Sequence, residues 1–206
     1  MSKKTYNKNK LFVKLNKNSC VFGHLINKGL FVDDEQTIYI ADRDNHRIVE
    51  WKSGATNGTV IAGGGGRGTG DYLFNEPTDV IVDKETESII IADRGNRRVV
   101  RWPRRGGKRG ETLVTDVTST GLTLDEQGAL YVADNLKHEV RRYRRGETKG
   151  KVVAGGNGQG TNLNQLSNPQ NVFVDRERSV YVSDLLTCVA FGACTIKPSS
   201  FSLNGR

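Results

Sequence analysis

The chain has 206 residues, 35% of them apolar, with 24 glycines, 4 prolines and a formal charge of +8. That length can bury a substantial core, and many glycines among short Val, Ile, Leu and Tyr runs indicate an all-β chain rich in turns. No apolar run approaches the roughly 20 residues of a bilayer span. Three cysteines without a CxxC pair (Cys20, Cys188 and Cys194) exclude a disulfide scaffold and a cysteine-built zinc cluster, and read as free thiols.

Residues 1–28 start basic, MSKKTYNKNKLFVKL, with no uninterrupted apolar stretch, so they do not read as a signal peptide. As written, the chain is expected in the cytosol. This N-terminal extension contains one strand candidate, Leu11–Leu15. From residue 29 a repeat takes over. GLFVDDEQTIYIAD ends at Asp42, DVIVDKETESIIIAD at Asp93, GLTLDEQGALYVAD at Asp134 and NVFVDRERSVYVSD at Asp184, with spacings of 51, 41 and 50 residues. At double the period the register is constant: residues 29–84 align on 121–176 without a gap, and 21 of 56 positions are identical. Duplication of a two-blade unit explains that regularity.

The first unit reads as four strands: Gly29–Val32, Thr37–Ala41, Arg47–Trp51 and Thr59–Ala62. Its second strand, TIYIA, is apolar at nearly every position and so must be covered on both faces. Stacked blades do that, each sheet packing against two neighbours. The expected fold is therefore a β-propeller of four-stranded antiparallel blades over 29–184, about four blades, incomplete or small. The repeat breaks after Asp184. LLTCVAFGACTIKPSSFSLNGR carries Lys197 and Arg206 but no acid, and 185–206 reads as a divergent tail or an unfinished last blade.

Within the repeat, the chemistry-bearing residues have plain structural uses. Asp42, Asp93, Asp134 and Asp184 recur once per unit at a strand end, where a carboxylate accepts backbone N–H groups of a turn. Asp33, Asp83, Asp125 and Asp175 recur likewise after the first strands. The glycine run 63–70 has the spacing of a phosphate loop but no lysine and no following helix, and its copy at 155–162 has none either. Both read as inter-blade linkers. Of the three histidines, His46 and His138 occupy one repeat position in different blades, which suits turn bonding better than shared metal ligation. No nucleophile–histidine arrangement stands out, so no catalytic residue, metal or cofactor is expected.

The stretches IADRDNHRIVEW, IADRGNRRVVRW and VADNLKHEVRRY resemble NHL repeats, in which a strand ending in Ala-Asp leads through Asn-His-Arg to an apolar strand with a terminal aromatic. Asn45-His46-Arg47 matches directly, Asn96 keeps the first position and His138 the second. The linkers 62–77 and 154–169 are similar to those of NHL proteins. The resemblance covers about 29–184 and implies a propeller, usually of six blades, used mainly as an interaction platform. It departs from the family in having only three complete units. Tripartite-motif ligases carry such propellers, but three cysteines cannot build their RING domain.

Charge is concentrated. Residues 94–110 carry eight Lys/Arg and no acid, residues 137–151 carry seven against Glu139 and Glu147, and the rest of the chain nets −5. If the third strands of adjacent blades align, Arg97, Arg98, Arg101, Arg104, Arg105, Arg141, Arg142, Arg144 and Arg145 form one continuous patch, with Trp102 and Tyr143 as stacking surfaces for unpaired bases. The alternative is a solvated outer rim with core aromatics. The expectation is a non-catalytic scaffold for protein partners, with single-stranded RNA binding second and a metal-dependent lyase or hydrolase third. No membrane is expected as a partner, and a homodimer of half-rings is one route to a closed propeller. Asn57-Gly58-Thr59 is a glycosylation acceptor relevant only to a secreted form.

Overall fold

A computed structural model of the chain describes residues 29–185. Each repeat forms a sheet. Blade 1 is β1 (Leu30–Val32), β2 (Ile38–Asp42), β3 (Arg47–Trp51) and β4 (Thr59–Gly63); blade 2 is β5 (Pro77–Asp83), β6 (Ser88–Asp93), β7 (Arg98–Pro103) and β8 (Glu111–Thr115). Blade 3 is β9 (Ser119–Leu124), β10 (Leu130–Asp134), β11 (Glu139–Tyr143) and β12 (Lys151–Gly155). Among the described residues the fourth sheet has two strands, β13 (Pro169–Val174) and β14 (Val180–Asp184). Every pairing between these strands is antiparallel, and each sheet follows chain order.

The second strands show why the chain folds this way. In β6, Ile89 and Ile91 join a core cluster with Tyr39, Ala41 and Ile48 of blade 1, whereas Ile90 joins a second with Leu122 and Val132 of blade 3. Alternate side chains of a strand point to opposite faces, so an all-apolar strand is what two neighbouring blades require. A third cluster joins Tyr131, Ala133 and Val140 of blade 3 to Val172, Val174 and Val182 of blade 4. Full burial of each such aliphatic side chain contributes roughly 1.5–3 kcal/mol.

Neighbouring first strands are also stitched together. The Gly29 N–H donates to the Thr78 carbonyl at 2.8 Å. The Thr78 hydroxyl donates to the Ser119 carbonyl at 2.8 Å, and the Thr120 hydroxyl to the Pro169 carbonyl at 2.8 Å. A side chain at Gly121 would meet the Gln170 carbonyl at 2.6 Å and the Asn171 Cα at 2.8 Å, so only glycine lets blades 3 and 4 approach this closely.

The all-β, four-stranded-blade expectation therefore holds in three sheets and in half of a fourth. The strand candidate Leu11–Leu15, the extension 1–28 and residues 186–206 lie outside the described residues. No helix among the described residues is long and apolar enough to cross a membrane.

Candidate interaction site

The repeated carboxylates fasten the blades internally. Asp93 accepts the Asn75 N–H from the preceding linker at 2.7 Å, the Asn96 amide at 2.8 Å and Arg98 Nε at 2.7 Å. Asp42 likewise receives Asn45 and Arg47, the latter at 2.9 Å. Blade 3 has Lys137 where those blades have Asn, and there Asp134 takes the turn's backbone N–H groups, Leu136 at 3.2 Å and Lys137 at 3.3 Å. Asp184 accepts the Ser167 N–H at 2.6 Å. The sequence pointed to the following turn, but the bond common to Asp93, Asp134 and Asp184 comes from the segment entering the blade. That partner is remote in sequence and so left no local signal.

His46 and His138 also bind across blades. His46 Nδ1 accepts the Glu76 N–H at 3.1 Å, and His138 Nδ1 accepts the Asn168 N–H at 3.2 Å. Both adopt left-handed backbone (φ 53°) after the tight turn, as does Arg97 at the equivalent place. Each thereby holds the linker that enters the next blade. Among the described residues no three His, Cys, Asp or Glu side chains group as a metal site.

The basic segments do not form the single patch that their alignment in sequence suggested. β7 separates Arg97 from Arg105 by its whole six-residue length, roughly 20 Å. Arg97 pairs with exposed Asp116 at one end of the blade. Arg98, only 11% exposed, binds Asp93 and donates to the carbonyls of Thr69, Gly70 and Leu73, clamping the first linker. Arg101 pairs with Glu111 and Arg141 with Glu139. Arg104 reaches back into blade 1, binding the Asp33 carboxylate and donating to the Tyr39 hydroxyl at 2.7 Å. Arg145 repeats this one blade on, holding Asp83 with two bonds of 3.0 and 3.1 Å. Arg142 lies opposite Tyr131 in strand register.

These contacts set the electrostatics. Burial pushes Asp83 up, but hydrogen bonds from Arg145 and Thr86 outweigh it and leave its pKa below the usual range. Burial lifts the Tyr39 hydroxyl to about 12 despite Arg104. Asp79, on the innermost strand of blade 2, is raised to about 7 by burial against only two backbone donors, Leu122 N–H and Val80 N–H. No feature of the sequence near Asp79 singled it out.

Trp102 and Tyr143 are core residues, 3% and 7% exposed, and Trp102 packs on Phe74 with ring centroids 5.6 Å apart. They are not platforms for bases. What Trp102 does border is a rim groove of about 370 Å³ between blades 1 and 2. Val60, Ile61, Tyr72, Gly107 and Lys108 line it with Trp102. Val60 and Tyr72 are 43% and 56% exposed, and the buried Trp102 indole N–H has no hydrogen-bond partner among the described residues. Sequence reasoning missed the groove because the linker residue Tyr72 meets β4 and β7 only in space.

No family model and no curated protein matches the chain. Solved structures do. A nidogen–laminin complex is 18% identical with a TM-score of 0.60, over 76% of this chain and 56% of that one. A gluconolactonase of Xanthomonas campestris is 19% identical at 0.58, over 76% and 55%. An inactive virginiamycin B lyase of Staphylococcus aureus, bound to quinupristin, is 11% identical at 0.56, over 77% and 50%. The chain spans about half the length of these structures, and likeness at such identities is one of fold. On the sheet order, the inter-blade cores and these structural neighbours, the chain is a β-propeller of about four blades.

Proposed function

We propose that the chain is an NHL-type propeller acting as a non-catalytic scaffold for a protein partner, which it holds in the rim groove between blades 1 and 2. One observation carries this reading: a rim recess between two blades with exposed Val60 and Tyr72 on its walls and the Trp102 ring at its lining. An extended peptide with one aliphatic or aromatic side chain matches that chemistry, as anchor residues of peptide-binding surfaces do. Selection of displayed peptides on the folded protein tests it. Enriched peptides are expected to lose binding at least tenfold to Val60→Asp or Tyr72→Ala while circular dichroism stays unchanged. Enrichment that ignores both substitutions removes the groove from the reading.

RNA binding is the second reading, and one observation favours it in narrowed form. Arg105, Lys108, Arg109, Arg144 and Lys149 are exposed on the β7–β8 and β11–β12 turns, which share one end of the propeller. Phosphate neutralisation there predicts affinity for oligouridine that falls steeply with salt. It also predicts loss of that affinity in the Arg105→Glu/Arg144→Glu double variant. No binding at low salt eliminates it.

A further inference from the structure

The linker from blade 1 into blade 2 carries a knot of charge that its copy lacks. Glu76, near the end of that linker, has left-handed backbone (φ 52°) and donates its N–H to His46 Nδ1 at 3.1 Å. One oxygen of its carboxylate, Oε2, receives Arg43 Nη2 at 2.5 Å and Nε at 3.2 Å. Arg94, on the turn after β6, stands 3.8 Å from the same oxygen, beyond hydrogen-bond range. The Arg43 hydrogen bond, with the fields of Arg43, Arg94 and the exposed linker residue Arg67, outweighs burial and holds Glu76 below the usual carboxylate range. Three guanidinium groups thus converge on one carboxylate, and the exposed Asp44 beside Arg43 offsets only part of the excess.

The fold does not need these charges. At the copied junction 92 residues on, Arg43, Arg67 and Glu76 become Asn135, Gln159 and Asn168, and Leu185 follows Asp184 as Arg94 follows Asp93. The backbone is nonetheless the same. Asn168 is also left-handed (φ 70°) and donates its N–H to His138 Nδ1 at 3.2 Å. The Gly160 N–H donates to the Leu166 carbonyl at 3.3 Å, as Gly68 does to Phe74 at 3.1 Å. The Gln159–Leu166 bridge repeats the Arg67–Phe74 bridge. Neutral side chains keep the linker on one path, so the arginines of the first junction are surplus to folding.

We propose that Arg43, Arg67 and Arg94 bind the phosphoryl group of a phosphorylated serine or threonine on a protein partner, displacing Glu76 as the internal anion. A phosphoryl group offers three acceptor oxygens and nearly two charges, against the single engaged oxygen and single charge of Glu76. One compact cluster suits one such group, whereas a nucleic-acid backbone requires a track of cations. The Arg43, Glu76 and Arg94 side chains are 29%, 34% and 35% exposed. They stand on two turns and a linker rather than in an enclosed cavity, which suits a side chain presented by a larger partner. Gly63 and Gly65 of the same linker border the rim groove, so the site deepens the scaffold reading. It rests on that reading for the partner being a protein, and on the cluster alone for phosphoryl recognition.

The probe is the peptide acetyl-Gly-Gly-phosphoserine-Gly-Gly-amide, titrated calorimetrically against the full chain at low salt. It carries no apolar anchor, so failure of the groove leaves its binding intact. The protein variants borrow residues from the copied junction, which keeps the linker foldable. Saturable binding is expected, at least tenfold weaker for the unphosphorylated peptide and for the Arg43→Asn/Arg67→Gln double variant. Glu76→Asn is expected to bind at least threefold tighter, because the competing carboxylate is gone; a purely structural ion-pair cluster would show no such gain. Absence of saturable binding, equal binding of the unphosphorylated peptide, or a Glu76→Asn variant that binds no tighter overturns the proposal. Displacement of the phosphopeptide by oligouridine at matched phosphate concentration also overturns it and assigns the cluster to nucleic acid.

Discussion

The junction between blades 1 and 2 and the junction between blades 3 and 4 are copies 92 residues apart, and among the described residues they differ in the outer half. Their inner halves match: Gly29 and Gly121 permit close approach, and Asp42 with Asp134 fastens the turns. At the first junction, Trp102 closes the core, Arg98 clamps the linker and Arg104 bolts blade 2 to Asp33. At the second, Ala154 is part-exposed, Leu163 on the copied linker is 98% exposed and one oxygen of Asp184 has no partner among the described residues. At the described part of the second junction the inner strands join a shared core, and at the first junction residues of the third strand and the turn after it add to that core.

Removing that seal should bring the first junction toward the second. Trp102→Ala should cost about 3–5 kcal/mol in urea denaturation, the largest effect expected. A loss under about 1 kcal/mol would mean that the outer half of blade 2 is not part of the cooperative fold.

Asp79 offers the next largest effect, and it is one of pH. Folded, it keeps its proton to about 7, while an unfolded aspartate releases it near 3.9. The folded state therefore binds the extra proton across that window, and stability should fall as pH rises from about 4 through 7, by at most about 4 kcal/mol. Asp79→Asn, which puts in blade 2 the residue that blade 4 has as Asn171, should flatten this slope in thermal melts. Asp83, at the other end of the same strand, has the opposite sign. Its pKa is lowered in the fold, so its contribution is present above the unfolded value and lost as pH falls through the folded one.

The two arginine bolts sharpen the comparison further. Arg104 is 11% exposed against an Asp33 carboxylate 2% exposed, so Arg104→Ala leaves a buried charge and should cost about 3 kcal/mol. Arg145 is 33% exposed, and solvent screening should hold the same substitution there to about 1 kcal/mol. Equal losses in chemical denaturation would show that burial does not rank the bolts. Smallest of all, Arg176→Ala breaks a pair whose members are 90% and 60% exposed and should change stability by under about 0.5 kcal/mol.

How far the sequence could be read follows from the range of each interaction. The apolar run IIIA at 89–92 demanded cover on both faces, and its strand and stacking follow from that local pattern. Asp33 and Asp125 bond to N–H groups two and four residues on, a spacing visible in the chain. In the sequence Arg104 is one cation of a basic run, and its partner Asp33 is invisible there because it lies 71 residues earlier. Proximity to arginine in the sequence leaves Trp102 and Tyr143 open between stacking surface and core, and the packed blades decide for the core.

Periodicity alone determined the blade count over 29–184, the strand order and the inward-outward pattern, because each is set by a repeat of neighbouring residues and by alternation along a strand. Only the tertiary structure decided which cations are spent inside the fold, that Asp79 is held near neutrality, and that a groove opens beside Trp102. Those outcomes depend on which side chains from different blades share a desolvated space, and burial of that kind is a property of the packed sheets rather than of any one strand.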